Sequence, residues 1–148
     1  MRLWRISAFP GLTGEGGLYD DGRWHTKGRR IVYTAEHPAL AMIETLAHMR
    51  LPLTDIPLTL QLIRIEVLDD AAIDPQPNMP SGWQANDVTT RAIGDGWLKS
   101  KSSLLLPVPS SLIADATNYL VNPDHPQRAT CLVESKPEPF WFDKRYLR

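Results

Sequence analysis

Only one cysteine, Cys131, occurs among the 148 residues, so no internal disulfide can staple the fold, which fits a reducing compartment. Its surroundings, "ATCLVE", read as a buried strand, with the thiol as core filling. Uncharged apolar runs stay well short of the roughly 20 residues that a membrane span needs, and the start, "MRLWRIS", lacks the apolar stretch of a secretory signal. A cytoplasmic protein is expected. Nor is charge of one sign in excess. Sixteen Lys and Arg stand against 17 Asp and Glu, a formal charge of −1, which removes the general electrostatic footprint of a nucleic-acid binder. No repeat, low-complexity tract or linker divides the chain, and its length suits one domain, 1–148.

Several catalytic signatures are missing too. His25, His37, His48 and His125 are dispersed, with no i, i+4 pair and no paired cysteines, so no metal site is expected. "GLTGEGG" does not match the G-x-G-x-x-G of a dinucleotide fold between a strand and a helix, and nothing resembles a P-loop. Ser110, Ser111, His125 and Asp143 supply the side chains of a hydrolase triad, but "PVPSSL" has none of the glycines of a nucleophile elbow.

What the sequence does hold is unevenly placed. Five tryptophans and 13 prolines suggest aromatic-lined surfaces and a loop-rich architecture, and Arg23, Lys27, Arg29 and Arg30 crowd together as a local anion site or a solvated loop. "RLWRIS" reads as a first strand, the glycine-rich "PGLTGEGGLYDDG" as a loop, and "RRIVYT" as a second strand. "HPALAMIETLAHMR" is the clearest helix, with Pro38 in its first turn and a stop before Pro52. At 100° per residue from Leu40, its apolar side chains span about 180° to 360°, and Glu44 falls near 40°, at the margin of the expected buried face. "LTLQLIRIEV" alternates first on even and then on odd positions, which suggests a bulge or bend. Residues 86–100 can form a second helix weakened by Gly94 and Gly96, and "SLLLPVPSS", "NYLVN", "ATCLVE" and "FWFDKR" add short strands. The fold class expected is α+β with a mostly antiparallel sheet.

Arg23, Tyr33 and Glu44 follow one another on a loop or strand edge, a strand and a packed helix. A guanidinium fork suits phosphate, a tyrosine ring suits stacking on a heterocycle, and a carboxylate beside a sugar stabilises an oxocarbenium-like state. Together they suit cleavage of the nicotinamide–ribose bond of NAD. The plainer reading is an ion pair of Arg23 with Asp20 or Asp21, a core Tyr33 and a solvated Glu44, and spacing alone does not choose between them.

The order of motifs adds a resemblance. "GRW" at 22–24, "VYTAE" at 32–36, "LAMIETLAH" at 40–48, "GW" at 82–83, "IGDGWL" at 93–98, "VPSS" at 108–111, "NPDHP" at 122–126 and the late "FDKR" resemble the RES-domain family, many of whose members are toxins of Res-Xre toxin–antitoxin pairs. The resemblance runs from "LWRIS" to "FDKR" and implies an ADP-ribosyltransferase-like single domain with two small, mostly antiparallel sheets, flanking helices and a cleft for NAD as substrate, without a separate cofactor or metal. It implies Arg23, Tyr33 and Glu44 as catalytic residues, and Ser110, Trp24 and His25 as further contacts to NAD, with Ser110 orienting substrate or Arg23, or capping its own turn. Two positions depart from the family's pattern: Asp21 precedes "GRW" where glycine is expected, and His25 follows it where asparagine is frequent, read here as a solvent-exposed loop histidine. The implied partner is an Xre-like helix-turn-helix antitoxin that covers the cleft. DNA contact would belong to that partner, no membrane is involved, and self-association through tryptophans is a further expectation. Water, phosphate or a protein side chain could receive the ADP-ribose. Met42 stands where transfer to arginine is often accompanied by a second carboxylate. A non-catalytic nucleotide- or partner-binding module is the reading from another class.

Overall fold

A computed structural model describes residues 1–147. The strands are β1 (Arg2–Ser7), β2 (Val32–Ala35), β3 (Gln61–Val67), β4 (Leu105–Pro109), β5 (Thr117–Val121), β6 (Leu132–Glu134) and β7 (Glu138–Pro139). The helices are α1 (Pro38–Met49), α2 (Asp87–Ser100) and the single turn α3 (Arg128–Cys131). Among the described residues no helix is long and apolar enough to cross a membrane.

All named strands pair antiparallel in one curled sheet of order β4-β5-β2-β1-β3-β6, with β7 also on β3. The two expected sheets are the halves of this one. β4, β5 and β2 pair along their lengths, as do β1, β3 and β6, but β2 meets β1 through one pair only, Trp4 with Ala35. Side chains directly opposite across antiparallel strands share a face. Leu3, Ile63, Ile65, Val67, Val32, Leu105 and Val121 therefore form a closed core on one face with Leu12, Cys131 and Leu132.

The other face carries both long helices. α2 brings Trp97 and Leu98 onto Leu106, Val108, Leu120 and Ile31, together with Trp24 and Trp83. α1 packs Leu40 and Ala41 on Trp4, Ile6 and Ala35. Tyr33 and Asn118 lie on this same face between the two packed regions, because Tyr33 opposes Leu120 and Ala35 opposes Asn118. As diagonal neighbours in the ladder, they stand about 7–8 Å apart between Cα atoms.

Three expectations are corrected. "ATCLVE" is not a continuous strand: after Pro126 the chain makes the α3 turn, whose Gln127 N–H is taken by His125 Nδ1 at 3.1 Å, and only Leu132–Glu134 extend. Cys131 is buried, as expected, but in that helical turn. "FWFDKR" lies outside the sheet and ends in a 3-10 turn, Lys144–Leu147. The phase switch in "LTLQLIRIEV" is a boundary and not a bulge, since β3 begins at Gln61 and Leu58 is 96% exposed in the preceding turn.

Candidate active site

α1 starts where His37 Nδ1 accepts the Ala39 N–H at 3.0 Å and Pro38 occupies the first turn. The helix is turned relative to its apolar arc. Its fully buried residues, Leu40 and Ala41, bracket Glu44 in angle, so Glu44 falls within the packed side and not at its margin. Met42, Ile43 and Leu46 are only half-buried, and Ala47 is exposed. The turn is possible because the sheet offers partners for a carboxylate. Glu44 Oε1 accepts the Ser110 hydroxyl at 2.6 Å and the Asn118 amide at 2.9 Å. Ser110 Oγ accepts the N–H groups of Leu112 and Ile113, both at 3.1 Å, so its proton is committed to Glu44. Ser110 thus caps its own turn and orients Glu44; the expected contact to Arg23 is not made. Glu44 Oε2 carries no partner among the described residues, and Asn118 Oδ1 is buried without one.

The second half of the site is the loop before β2, which α2 holds along one stripe. Asp87, Thr90, Arg91, Gly94 and Asp95 recur at helical spacing on one side of α2. Thr90 Oγ1 donates to the Arg23 carbonyl at 2.5 Å, and Arg91 Nε donates to the Gly22 carbonyl at 2.8 Å. Asp95 takes the Thr26 N–H at 2.9 Å and pairs with Arg29 at 3.2 Å. At Gly94 the helix approaches so closely that a Cβ would land on the Trp24 carbonyl. Arg23 itself is half-buried: Nη1 donates to the Gln84 carbonyl at 3.0 Å and lies 3.5 Å from Asp87 Oδ1. Its ion pair is therefore with Asp87, and neither Asp20 nor Asp21 supplies it.

Tyr33 is 37% exposed and not core. Its hydroxyl oxygen accepts the Trp24 N–H at 3.1 Å and meets His25 Nδ1 at 2.7 Å. Burial pushes the Tyr33 phenol well above its usual value, against the Trp24 N–H and the Arg91 charge. Two expected NAD contacts are corrected. Trp24 is 2% exposed and packs its indole on Trp83 with centroids 5.9 Å apart, so its ring belongs to the core. His25 is 3% exposed, neither a loop-surface residue nor a wall of the cleft. Trp97 and Trp83 are likewise interior, which leaves Trp141 as the one largely exposed tryptophan and removes the aromatic-surface argument for self-association.

A concavity of about 420 Å3 opens at the far, C-terminal end of α2, lined in part by Arg29, Arg30, Lys99 and Lys101. It does not include Arg23, Tyr33 or Glu44, and it offers one carboxylate, Asp124, and no aromatic ring. The helix-bearing face instead brings an exposed ring, Tyr33, and an oriented carboxylate, Glu44, onto one sheet surface. Asn118 and the α2 stripe were missed from the sequence. The stripe's spacing was there to find, whereas Asn118 is marked by nothing local.

The fold and this cluster define a class: a small α+β domain whose curled sheet carries a polar site between two helices on one face. The chain belongs to the RES domain family, whose pattern it matches over residues 2–143. It is 45% identical over 134 residues to a Toxin Res of Pseudomonas putida, covering 90% of this chain and 92% of that one. A Prs ADP-ribosylating toxin of Sphingobium is 36% identical over 143 residues, covering 93% and 87%. Among solved structures, the Mycobacterium tuberculosis MbcT–MbcA toxin–antitoxin complex contains a chain of the same fold, with a TM-score of 0.69 at 17% identity, over 95% of this chain and 84% of that one.

Proposed function

We propose that this protein is a toxin that consumes NAD by breaking its nicotinamide–ribose bond. The observation that carries the reading is the Ser110–Glu44–Asn118 cluster on the sheet face that also presents Tyr33. Two donors fix one carboxylate oxygen of Glu44 and leave the other free to face a ribose. When the C1′–N bond breaks, its electron pair leaves with nicotinamide and positive charge develops on the ribose. Glu44 stabilises that charge. The Tyr33 ring offers nicotinamide a stacking surface, and Arg23, held by one nitrogen, has the rest of its fork for phosphate oxygens. An acceptor hydroxyl, from water or phosphate, then forms the new C1′–O bond and loses its proton to solvent.

Transfer of ADP-ribose to a protein is the second reading, favoured by the relative named as an ADP-ribosylating toxin. An antitoxin partner, expected to be of the Xre helix-turn-helix type, is supported by the toxin–antitoxin complex that shares the fold. The test is to incubate the pure chain with NAD and measure free nicotinamide, alongside a biotinylated NAD and a bacterial extract to detect labelled protein. Nicotinamide release without label supports cleavage, and label supports transfer. Glu44→Gln should lower either by at least on the order of 10²-fold. Release that survives Glu44→Gln sinks the assignment.

A further inference from the structure

Residue 25 lies against the site yet cannot contact a ligand, because its imidazole is 3% exposed. The Gly17 carbonyl favours one tautomer. Nε2 is 3.3 Å from the Gly17 carbonyl oxygen, which can only accept, so Nε2 carries the proton of the neutral ring. Nδ1 is then a bare lone pair, 2.7 Å from the Tyr33 hydroxyl, and that hydroxyl donates to it. The Trp24 N–H already occupies one lone pair of the same oxygen. The phenol therefore has its proton directed inward and one acceptor position left, and its ring cannot swing without breaking two hydrogen bonds.

The backbone is shaped around this arrangement. A Cβ on Gly22 would overlap both Tyr33 Oη and His25 Nδ1, and one on Gly17 would overlap the Arg29 carbonyl and stand 3.1 Å from His25 Nε2. Both glycines thus make room for the histidine–tyrosine pair. The two rings sit 5.7 Å apart between centroids at 51°.

We propose that His25 is a positioning residue for Tyr33: its neutral imidazole accepts the phenol proton and holds the ring in the stance that nicotinamide stacks on, and protonation of that imidazole reverses the bond and turns the phenol proton into the cleft. The proposal rests on the NAD-cleaving reading for its kinetic consequence, though not for the hydrogen bond itself. With both ring nitrogens protonated, Nδ1 becomes a donor, and the Tyr33 proton must turn outward into the cleft. The charged groups facing the pair are Asp95 and Arg91 from α2, and Asp21 and Arg23 from the loop. Burial outweighs the Gly17 and Asp20 carbonyls and the Asp95 and Asp21 charges and holds His25 below its usual 6.5, so the neutral ring prevails at pH 7.

Two measurements on the full chain test this. Long-range proton–nitrogen NMR on the free protein at pH 7.5 reads the tautomer directly and needs no turnover. Nε2–H with an unprotonated Nδ1 is expected, and the opposite tautomer or an imidazolium overturns the proposal. Steady-state nicotinamide release is then followed from about pH 5 to 8.5. Wild type should lose kcat/KM along a one-proton acid limb with a midpoint below 6.5. His25→Leu should raise KM for NAD roughly tenfold above the acid limb, where the wild-type ring is neutral, one decade of lost binding. Asparagine places a non-titrating acceptor where Nδ1 stood, so His25→Asn should recover most of what His25→Leu loses and lack the acid limb. An acid limb retained in His25→Asn, or an unchanged KM in a folded His25→Leu, overturns the proposal. Should His25→Leu not fold, the tautomer and the His25→Asn profile decide. Should wild type release no nicotinamide, the NAD reading falls, and the NMR result still judges the His25–Tyr33 bond.

Discussion

A carboxylate is useful to a developing cation only if it is held still, and Glu44 is held by residues from two strand ends rather than from its own helix. Ser110 carries three duties through one oxygen: it donates to Glu44 and accepts from two backbone N–H groups. Ser110→Ala removes a hydrogen bond to a charged group and strands two partly buried donors, which should cost roughly 2 kcal/mol of stability. Nicotinamide release should fall on the order of 10²-fold, since the carboxylate loses its registration. Calorimetric melting and turnover measured on the same preparation check both, and turnover equal to wild type would remove Ser110 from the site. Asn118→Asp makes a different demand. It sets a second carboxylate against Glu44, and like charges at that range cannot both ionise. The pair's shared proton is then bound more tightly in the folded chain than in the unfolded one. By linkage, stability is present at low pH and lost as pH rises. Asn118→Asp should thus melt near wild type at about pH 5 and progressively lower towards pH 8, a trend that melting curves across that range would show.

The elements divide the work of placing these groups, and what the sequence reveals follows that division. β1, β2, β4, β5 and α1 were readable because their apolar or β-branched runs are local and their ends are marked by proline or capping residues. The rotation of α1 was not readable. The centre of the apolar arc pointed about 130° away, more than a third of a turn, and only the tertiary pair Ser110 and Asn118 makes it favourable to turn Glu44 toward the sheet. "ATCLVE" misled for a related reason: its β-branched composition is overridden by the proline and the His125 cap that start a helical turn. Of the site, Arg23, Tyr33, Glu44 and Ser110 carry side chains whose chemistry could be named in advance, whereas Asn118 and His25 act through partners that no spacing announces. α2 shows the same limit. Gly94 looked like a weakness in that helix, yet it is the point where α2 crosses the Trp24 backbone. Gly94→Ala gains helix propensity but drives a methyl onto a carbonyl, so it should destabilise by about 3 kcal/mol. A chemical-denaturation series should show this as a lowered midpoint at unchanged slope. A neutral or stabilised Gly94→Ala would mean that α2 does not lie against the loop as described.

At the scale of the whole molecule, the site depends on how two half-sheets are joined. One half, β4-β5-β2, carries Tyr33, Asn118 and the end of the Ser110 turn, and the other, β1-β3-β6, is joined to it in the ladder by the Trp4–Ala35 pair and on the opposite face by the shared apolar core. One ladder pair contributes little against the freedom of two sheets to shear. On the helix-bearing face α1 bridges the gap, since Leu40 and Ala41 pack on Ala35 of one half and on Trp4 and Ile6 of the other. Trp4 is thus both the ladder partner and part of the surface that α1 rests on, with His37 at the helix start 6.3 Å away between ring centroids. Because Trp4 is only half-buried, Trp4→Ala should cost roughly 2 kcal/mol, less than the ~3–5 of a fully buried tryptophan. Its effect on function should exceed that figure. Glu44 rides on α1 while Tyr33 rides on β2, so loosening the bridge changes their separation even in molecules that remain folded. Hydrogen exchange is the discriminating measurement. Amides of β1 and α1 should exchange faster in Trp4→Ala, while those of β4 and β5 keep their protection, and turnover should fall at temperatures well below melting. Uniformly faster exchange across both halves would instead show that the sheet is one cooperative unit, with no junction at Trp4.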